Sequence, residues 1–279
     1  MNPAWMQAKE DLARLAWLRK VRPQPVAVLM ADFLAGKDRR RLLETPQGIK
    51  LYLDPLSELG ATLLETNSYE PGTEAIFRKW IRPGFTVLDV GASEGYFSIL
   101  AATLTGSDGR VVAVEPQIRS IEIMRRNLAA NAIDNCCIVE AALGRNDSSA
   151  RILLMPVMNT GASSLVRKYR WSNNWTPVRM LAASTLLRET GVNRFDFVKV
   201  DVEGYEPEVV DGLLPLIEAG KIGALLIDFH HSILKQRGMS AEESKRKLIN
   251  AGMMATGESA RDYELYKFSC STGEFGREI

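Results

Sequence analysis

A chain of 279 residues is long enough for one large α/β domain with a smaller appendage. Its 46% hydrophobic and 25% charged content suits a soluble globular protein with a substantial core, and a net charge of +1 gives no ground for a nucleic-acid binder driven by bulk electrostatics. Three cysteines, adjacent at Cys136 and Cys137 with Cys270 near the end, form no C-x-x-C pair, so neither a zinc knuckle nor a disulfide framework is signalled.

The charge is unevenly spread. Arg14, Arg19, Lys20, Arg22, Lys37, Arg39, Arg40 and Arg41 face few acids in the first fifty residues. Lys9, Glu10 and Asp11 interrupt any secretory apolar core, and the run 25–36 is too short to span a bilayer and contains Asp32. A cytoplasmic location without a membrane span is the expectation. Residues 4–20 read as an amphipathic helix carrying Trp5, Ala8, Leu12 and Leu15. Pro23 and Pro25 break it, and a second helix covers 26–34. Residues 50–53 alternate as a short strand, and Ser57 caps a helix reaching Leu64. Pro71-Gly72 turns the chain, Thr73 caps a helix through Trp80, and Pro83-Gly84 closes this preface. The domain boundary is set near residue 70: residues 1–70 form an N-terminal helical extension and 71–279 the main domain, with an insertion at about 150–185.

Strands and helices then alternate. Strands are expected at 86–90, 111–115, 137–142, 195–201 and 223–229, and helices at 96–104, 120–130, 207–219 and 241–251. The strands are nearly continuous apolar runs, as in a parallel sheet covered on both faces. Segments 253–256 and 264–268, around Gly257 and Asp262, read as a closing hairpin. In the insertion, 151–155 and 178–183 look extended, and 159–164 is a polar loop. Trp171 and Trp175 flank a polar tip that either plugs the core edge or faces a ligand.

Three segments carry chemistry. In the run from Val87 to Tyr96 a strand ends in Asp89, Gly91 and Gly95 frame a tight loop, and a helix begins at once. Glycine lets the backbone turn sharply and approach a ligand, while the helix N-terminus offers N–H groups to an anion. The spacing is G-x-x-x-G rather than G-x-G-x-x-G, which disfavours a pyrophosphate and favours S-adenosylmethionine. The second strand ends in Glu115, twenty residues after Gly95, where a carboxylate can accept bonds from both ribose hydroxyls. The run Phe197-Val-Lys-Val-Asp201-Val-Glu203-Gly204 ends in two carboxylates and a glycine. In an open α/β sheet all three motifs fall at the carboxyl ends of the strands, where ligands bind.

These runs, DVGASEGYFS, VVAVEP with Asn127 and Asn131 downstream, EAALGR and FVKVDVEGYEPEVVDGL, together with Tyr69-Glu70 and Pro83-Gly84, resemble the FkbM-type S-adenosylmethionine-dependent methyltransferases over roughly residues 48–230. The resemblance implies a doubly wound, mostly parallel Rossmann-like α/β sheet with a C-terminal antiparallel hairpin. It also implies methyl transfer, usually to an oxygen of a sugar, polyketide or similar secondary metabolite. Carried over by position, Asp89, Gly91, Ser93, Gly95 and Tyr96 surround the methionine part of the cofactor, Glu115 holds the ribose, and Glu70 is a further cofactor-binding residue. Ala141 and Ala142 lie near the adenine, and Asp201 and Glu203 near the methyl group and acceptor. Ser93 stands where the family more often has Asn, and the ending Ile-Asp228-Phe-His230 stands where Glu-x-His is commoner.

The catalytic candidates are His230, Asp201 and Glu203. His230 and His231 follow the apolar strand 224–229, and side-chain alternation brings one inward; the resemblance favours His230. Asp201 is a rival base or a group that faces the cofactor's positive end, and Glu203 pairs with Lys199, Arg167 or Lys168. No metal is expected, although Asp201, Asp228 and His230 at adjacent strand ends are the set that would converge on one. The expected partner is a small hydroxylated acceptor, with no nucleic acid. The basic N-terminal helices form a solvated face, a lid, a surface for an anionic or lipid-linked substrate, or a homodimer contact. An NAD-dependent oxidoreductase and a non-catalytic cofactor-binding module are the alternative functions.

Overall fold

The apolar runs pair into the sheet that the pattern calls for. A computed structural model describes residues 3–21, 24–35, 39–155, 163–166, 174–260 and 263–269. In chain order it has helix α1 (Pro3–Leu15), a 3-10 segment (Ala16–Lys20), α2 (Gln24–Ala35), strands β1 (Arg41–Glu44) and β2 (Lys50–Leu53), α3 (Glu58–Thr66) and α4 (Pro71–Trp80). There follow β3 (Thr86–Val90), α5 (Tyr96–Thr105), β4 (Arg110–Glu115), α6 (Ile118–Ala130), β5 (Cys136–Glu140), β6 (Ala142–Gly144), β7 (Ser148–Leu153) and β8 (Trp175–Ala182). The chain continues as α7 (Ala183–Thr190), β9 (Phe195–Val200), α8 (Glu206–Glu218), β10 (Ile222–Asp228), α9 (His231–Gln236), α10 (Ala241–Asn250), β11 (Met253–Ala260) and β12 (Tyr263–Phe268).

Among the described residues the central sheet has seven strands in the order β11-β12-β10-β9-β3-β4-β5. From β10 to β5 the neighbours run parallel, and β12 and β11 close the edge antiparallel, as the hairpin requires. The fold class is therefore doubly wound α/β, with the switch point between β3 and β9. One apolar cluster on one face joins Val87, Val111 and Phe197 of the sheet to Phe77, Phe97 and Leu100, and extends to Trp5, Leu12, Leu43 and Leu51 of the N-terminal segment. The opposite cluster packs Leu88, Val112, Val198 and Leu225 against Val209, Leu213 and Leu248.

Local differences have local causes. The first helix ends at Leu15 and tightens into the 3-10 segment. Ser57 caps α3 as its sequence suggests, accepting a bond from the N–H of Gly60 at 3.0 Å. Thr73 is not the cap of α4: the helix starts two residues earlier, with Pro71 in its first turn and Glu70 at the N-cap in the left-handed region. Strand β1, helices α7 and α9, and the break between β5 and β6 were not in the sequence pattern. In the insertion, β7 pairs antiparallel and β6 parallel with β8. Arg22, Lys37, Asn159, Arg167, Lys168, Trp171, Asp262 and Cys270 lie outside the described residues.

Candidate active site

A cleft of about 290 Å³ opens at the carboxyl ends of β3, β4, β9 and β10. It is lined by Glu70, Asp89, Gly91, Ser93, Tyr96, Glu115, Ala141, Ala142, Asp201, Glu203, Asp228 and His230. Gly95 caps α5 at φ 89° behind it, where a Cβ would meet the Met124 side chain at 2.6 Å.

The loop after β3 has the conformation its glycines permit. Gly91 has φ 83°, and a Cβ there would sit 1.8 Å from the carbonyl oxygen of Asp201. Ser93 also takes a positive φ, 50°. Its N–H donates to Glu115 at 2.9 Å, and the N–H of Gln117 donates to the other Glu115 oxygen at 2.8 Å. Burial pushes the Glu115 carboxyl up to about 7, against the opposing pull of those two bonds. Asp89 is fully buried. One of its oxygens accepts from Ser98 Oγ at 2.6 Å, and the other makes no hydrogen bond. A carboxylate with spare acceptor capacity at the cleft floor suits an ammonium donor.

Lys199 is the site residue whose part the sequence concealed. Its Nζ lies 3.3 Å from Asp201 and 3.7 Å from Asp89, over the rings of Phe97 and Tyr263. Burial lowers its proton affinity, but Asp201, Asp89 and Glu70 more than offset this and hold it charged. Tyr263 Oη donates to the same Asp201 oxygen at 2.8 Å. Burial raises the Asp201 carboxyl, yet Lys199, His230 and Tyr263 bring it below the usual carboxylate value, so it stays ionised.

At the mouth, His230 precedes α9 and faces the cleft, while His231 enters that helix and does not line it. The Nδ1 of His230 is 2.9 Å from Oε1 of Glu206, a carboxylate with no exposed surface. Its Nε2 faces Glu203 at 3.7 Å and Asp201 and Asp228 at 3.9 Å each. Burial lowers the imidazole, but the bond to Glu206 and the charges of Asp201 and Glu203 carry it up to about 10. Glu203 thus sits beside His230, while Lys199 pairs with Asp201 and Asp89. Ligand atoms of Asp201, Asp228 and His230 lie within 4.8 Å of one another, a spacing that could admit a cation. Glu206 was missed because an acid in the first turn of a helix has an ordinary explanation, charge complementarity with the helix N-terminus.

Ser57, Tyr69 and Glu70 of the N-terminal segment line the cleft, and its basic residues reach the site indirectly. Arg40 makes a two-pronged pair with Glu94 of the cofactor loop, at 2.5 and 2.9 Å, and also donates to the Tyr52 carbonyl. Asn127 donates to the Glu94 carbonyl and accepts from the Tyr52 N–H. On the other side Arg119 donates to the Met155 carbonyl and to Ser163, and Ser164 donates to the Glu203 carbonyl, fastening the insertion to the mouth.

The family model described as Methyltransferase FkbM domain matches residues 89–258, more than half the chain. The chain belongs to this family. The cofactor of this methyltransferase domain is S-adenosylmethionine, and the residues fit it: one buried Asp89 oxygen makes no hydrogen bond among the described residues, with only the Lys199 ammonium near it at 3.7 Å, and Glu115 lines the cleft as a carboxylate that can accept from hydroxyls. A second model, protein-L-isoaspartate(D-aspartate) O-methyltransferase, matches residues 27–148, a segment that ends before β8, β9 and β10. Two protein-L-isoaspartate O-methyltransferases are similar: that of Thermotoga maritima, 32% identical over 26% of this chain and 24% of its own, and that of Triticum aestivum, 31% identical over 32% and 41%. The chain thus spans well under half the length of these relatives. Among solved structures, a SAM-dependent methyltransferase of Aquifex aeolicus overlaps 75% of this chain and 93% of its own at 16% identity and TM-score 0.42. Precorrin-6y C5,15-methyltransferase of Geobacter metallireducens overlaps 71% and 87% at 15% identity and the same TM-score. The assignment of this FkbM-domain chain rests on the family match and not on those overlaps.

Proposed function

We propose that the chain transfers the methyl group of S-adenosylmethionine to a hydroxyl oxygen of a small-molecule acceptor seated at the mouth of the cleft, as with sugar and polyketide hydroxyls of secondary metabolism. The observation that carries this reading is His230, held through Nδ1 by buried Glu206 and presenting Nε2 beside Asp201, Glu203 and Asp228 in the cleft that the cofactor loops line. Bound S-adenosylmethionine supplies an electrophilic methyl on a positive sulfur. As the oxygen–carbon bond forms and the carbon–sulfur bond breaks, the hydroxyl proton needs an acceptor, and Nε2 of His230 is the group positioned for it. His230 must be neutral to act so, and added positive charge in the cleft moves it that way. Asp201, kept ionised by Lys199, faces the cofactor's positive end, and Glu203 and Asp228 accept hydrogen bonds from the acceptor.

Three carboxylates at the mouth disfavour an anionic acceptor such as a protein carboxylate, and the isoaspartate-enzyme model matches the cofactor half rather than β9 and β10. The test is transfer of labelled methyl from S-adenosylmethionine to a panel of hydroxylated small molecules, alongside isoaspartyl peptides. Labelled ethers made by the wild type and not by His230→Gln support the reading; labelled peptide esters alone would replace it.

A further inference from the structure

Seven of the ten exposed large apolar side chains among the described residues lie between Met6 and Leu42, away from the cleft, which no described residue before Ser57 lines. They centre on α2. This helix buries Ala27 and Ala31 against the body and turns Val26, Leu29 and Phe33 outward at helical spacing, with Leu29 68% and Phe33 89% exposed. Trp17 on the adjoining 3-10 segment and Leu34 extend the patch. The one charge on α2, Asp32, is taken by Arg39 at 2.5 Å. A contiguous apolar surface of this kind on a monomer marks an interaction site.

Charge decides between occupants. The first fifty residues hold ten Lys or Arg against five Asp or Glu, although the whole chain is +1. Lys20, on the 3-10 segment that packs against α2, is exposed, and so is Arg14 in the last turn of α1, just before that segment. A second copy packed through the same patch would oppose two equally basic segments. An apolar stripe with an exposed tryptophan and basic neighbours matches instead the boundary of an anionic bilayer, where rings and aliphatic chains enter and lysine and arginine meet phosphate. No described helix is long and apolar enough to cross a membrane, so the contact is a surface one. We infer that the outward face of α2, with Trp17, Arg14 and Lys20, docks this protein on an anionic phospholipid surface.

The test is co-sedimentation of the full chain with phosphatidylglycerol-rich and with pure phosphatidylcholine vesicles. The wild type partitions onto the anionic vesicles and little onto the neutral ones. Leu29→Ser with Phe33→Ser weakens partitioning by about a hundredfold, since each side chain entering the bilayer boundary contributes about tenfold. Arg14→Gln with Lys20→Gln weakens it by roughly tenfold, an effect that salt mimics. Both variants keep wild-type affinity for S-adenosylhomocysteine, because none of these residues lines the cleft. Failure to bind anionic vesicles at low salt overturns the inference. So does a wild-type dimer in sedimentation that the Leu29→Ser, Phe33→Ser variant dissolves, which would assign the face to a second copy.

Discussion

The backbone of Gly91 lies against that of Asp201, so that a methyl group at position 91 would overlap the Asp201 carbonyl oxygen at 1.8 Å. The N–H of Asp201 meanwhile donates to the Val90 carbonyl at 3.0 Å. Two motifs more than a hundred residues apart are thereby locked at the switch point, both lining the cleft. Gly91→Ala adds that overlap to a left-handed φ, and neither can relax without parting β3 from β9. We expect it to destabilise the protein by about 3 kcal/mol or more and to abolish binding of S-adenosylhomocysteine, as read by thermal unfolding and calorimetry.

Glu115 should make stability depend on pH and, as the proposed ribose acceptor, cofactor affinity too. Its folded value, about 7, exceeds the ordinary 4.5, so the folded state holds the proton more tightly. That contribution is full below the unfolded value and is lost as pH rises through about 7. Unliganded wild type should therefore lose about 3 kcal/mol across this window relative to Glu115→Gln. Ribose hydroxyls donate to the ionised form, so affinity for S-adenosylhomocysteine should rise with pH through about 7 in the wild type and stay flat in the variant. Denaturation and titration series from pH 5 to 8 check both signs.

Arg40 and Glu94 form a part-buried pair between the N-terminal segment and the cofactor loop. Removing one partner strands the other charge, so Arg40→Met should cost about 3 kcal/mol. Adding Glu94→Gln should recover part of that loss. A double-mutant cycle on unfolding free energy, with cofactor affinity measured in parallel, separates this coupling from general damage.

In the proposed mechanism Glu206 acts through His230, which it holds at 2.9 Å. Glu206→Gln should lower kcat and shift the pH profile of the reaction, while His230→Gln lowers kcat by about a hundredfold to ten-thousandfold. Both should leave affinity for S-adenosylhomocysteine within a few fold of wild type. An unchanged pH profile in Glu206→Gln would reduce that residue to a structural role.

The sheet was legible because its strands are short apolar runs bounded by Gly, Pro and acidic ends: Glu115 ends β4, Asp201 follows β9, and Asp89 comes one residue before the end of β3. The placing of Asp89, Glu115 and Asp201 along one cleft followed from the same punctuation. What stayed hidden depends on packing across the chain. Lys199 reads as a polar interruption of a strand until Asp89 and Asp201 are seen on either side of it. Tyr263 reads as a hairpin residue until its hydroxyl is found on Asp201. Helix α9 is six residues long, below the length at which helical periodicity shows, and Arg40 joins Glu94 across fifty-four positions with no local signal.

The most direct test is calorimetric titration of the purified protein with S-adenosylhomocysteine, repeated with Asp89→Asn and Glu115→Ala and with NAD as a control. Binding by the wild type that is weakened at least tenfold in each variant, with no NAD binding, is the predicted result. Binding of NAD and not of S-adenosylhomocysteine, or affinity unaffected by both substitutions, would contradict the assignment of this cleft.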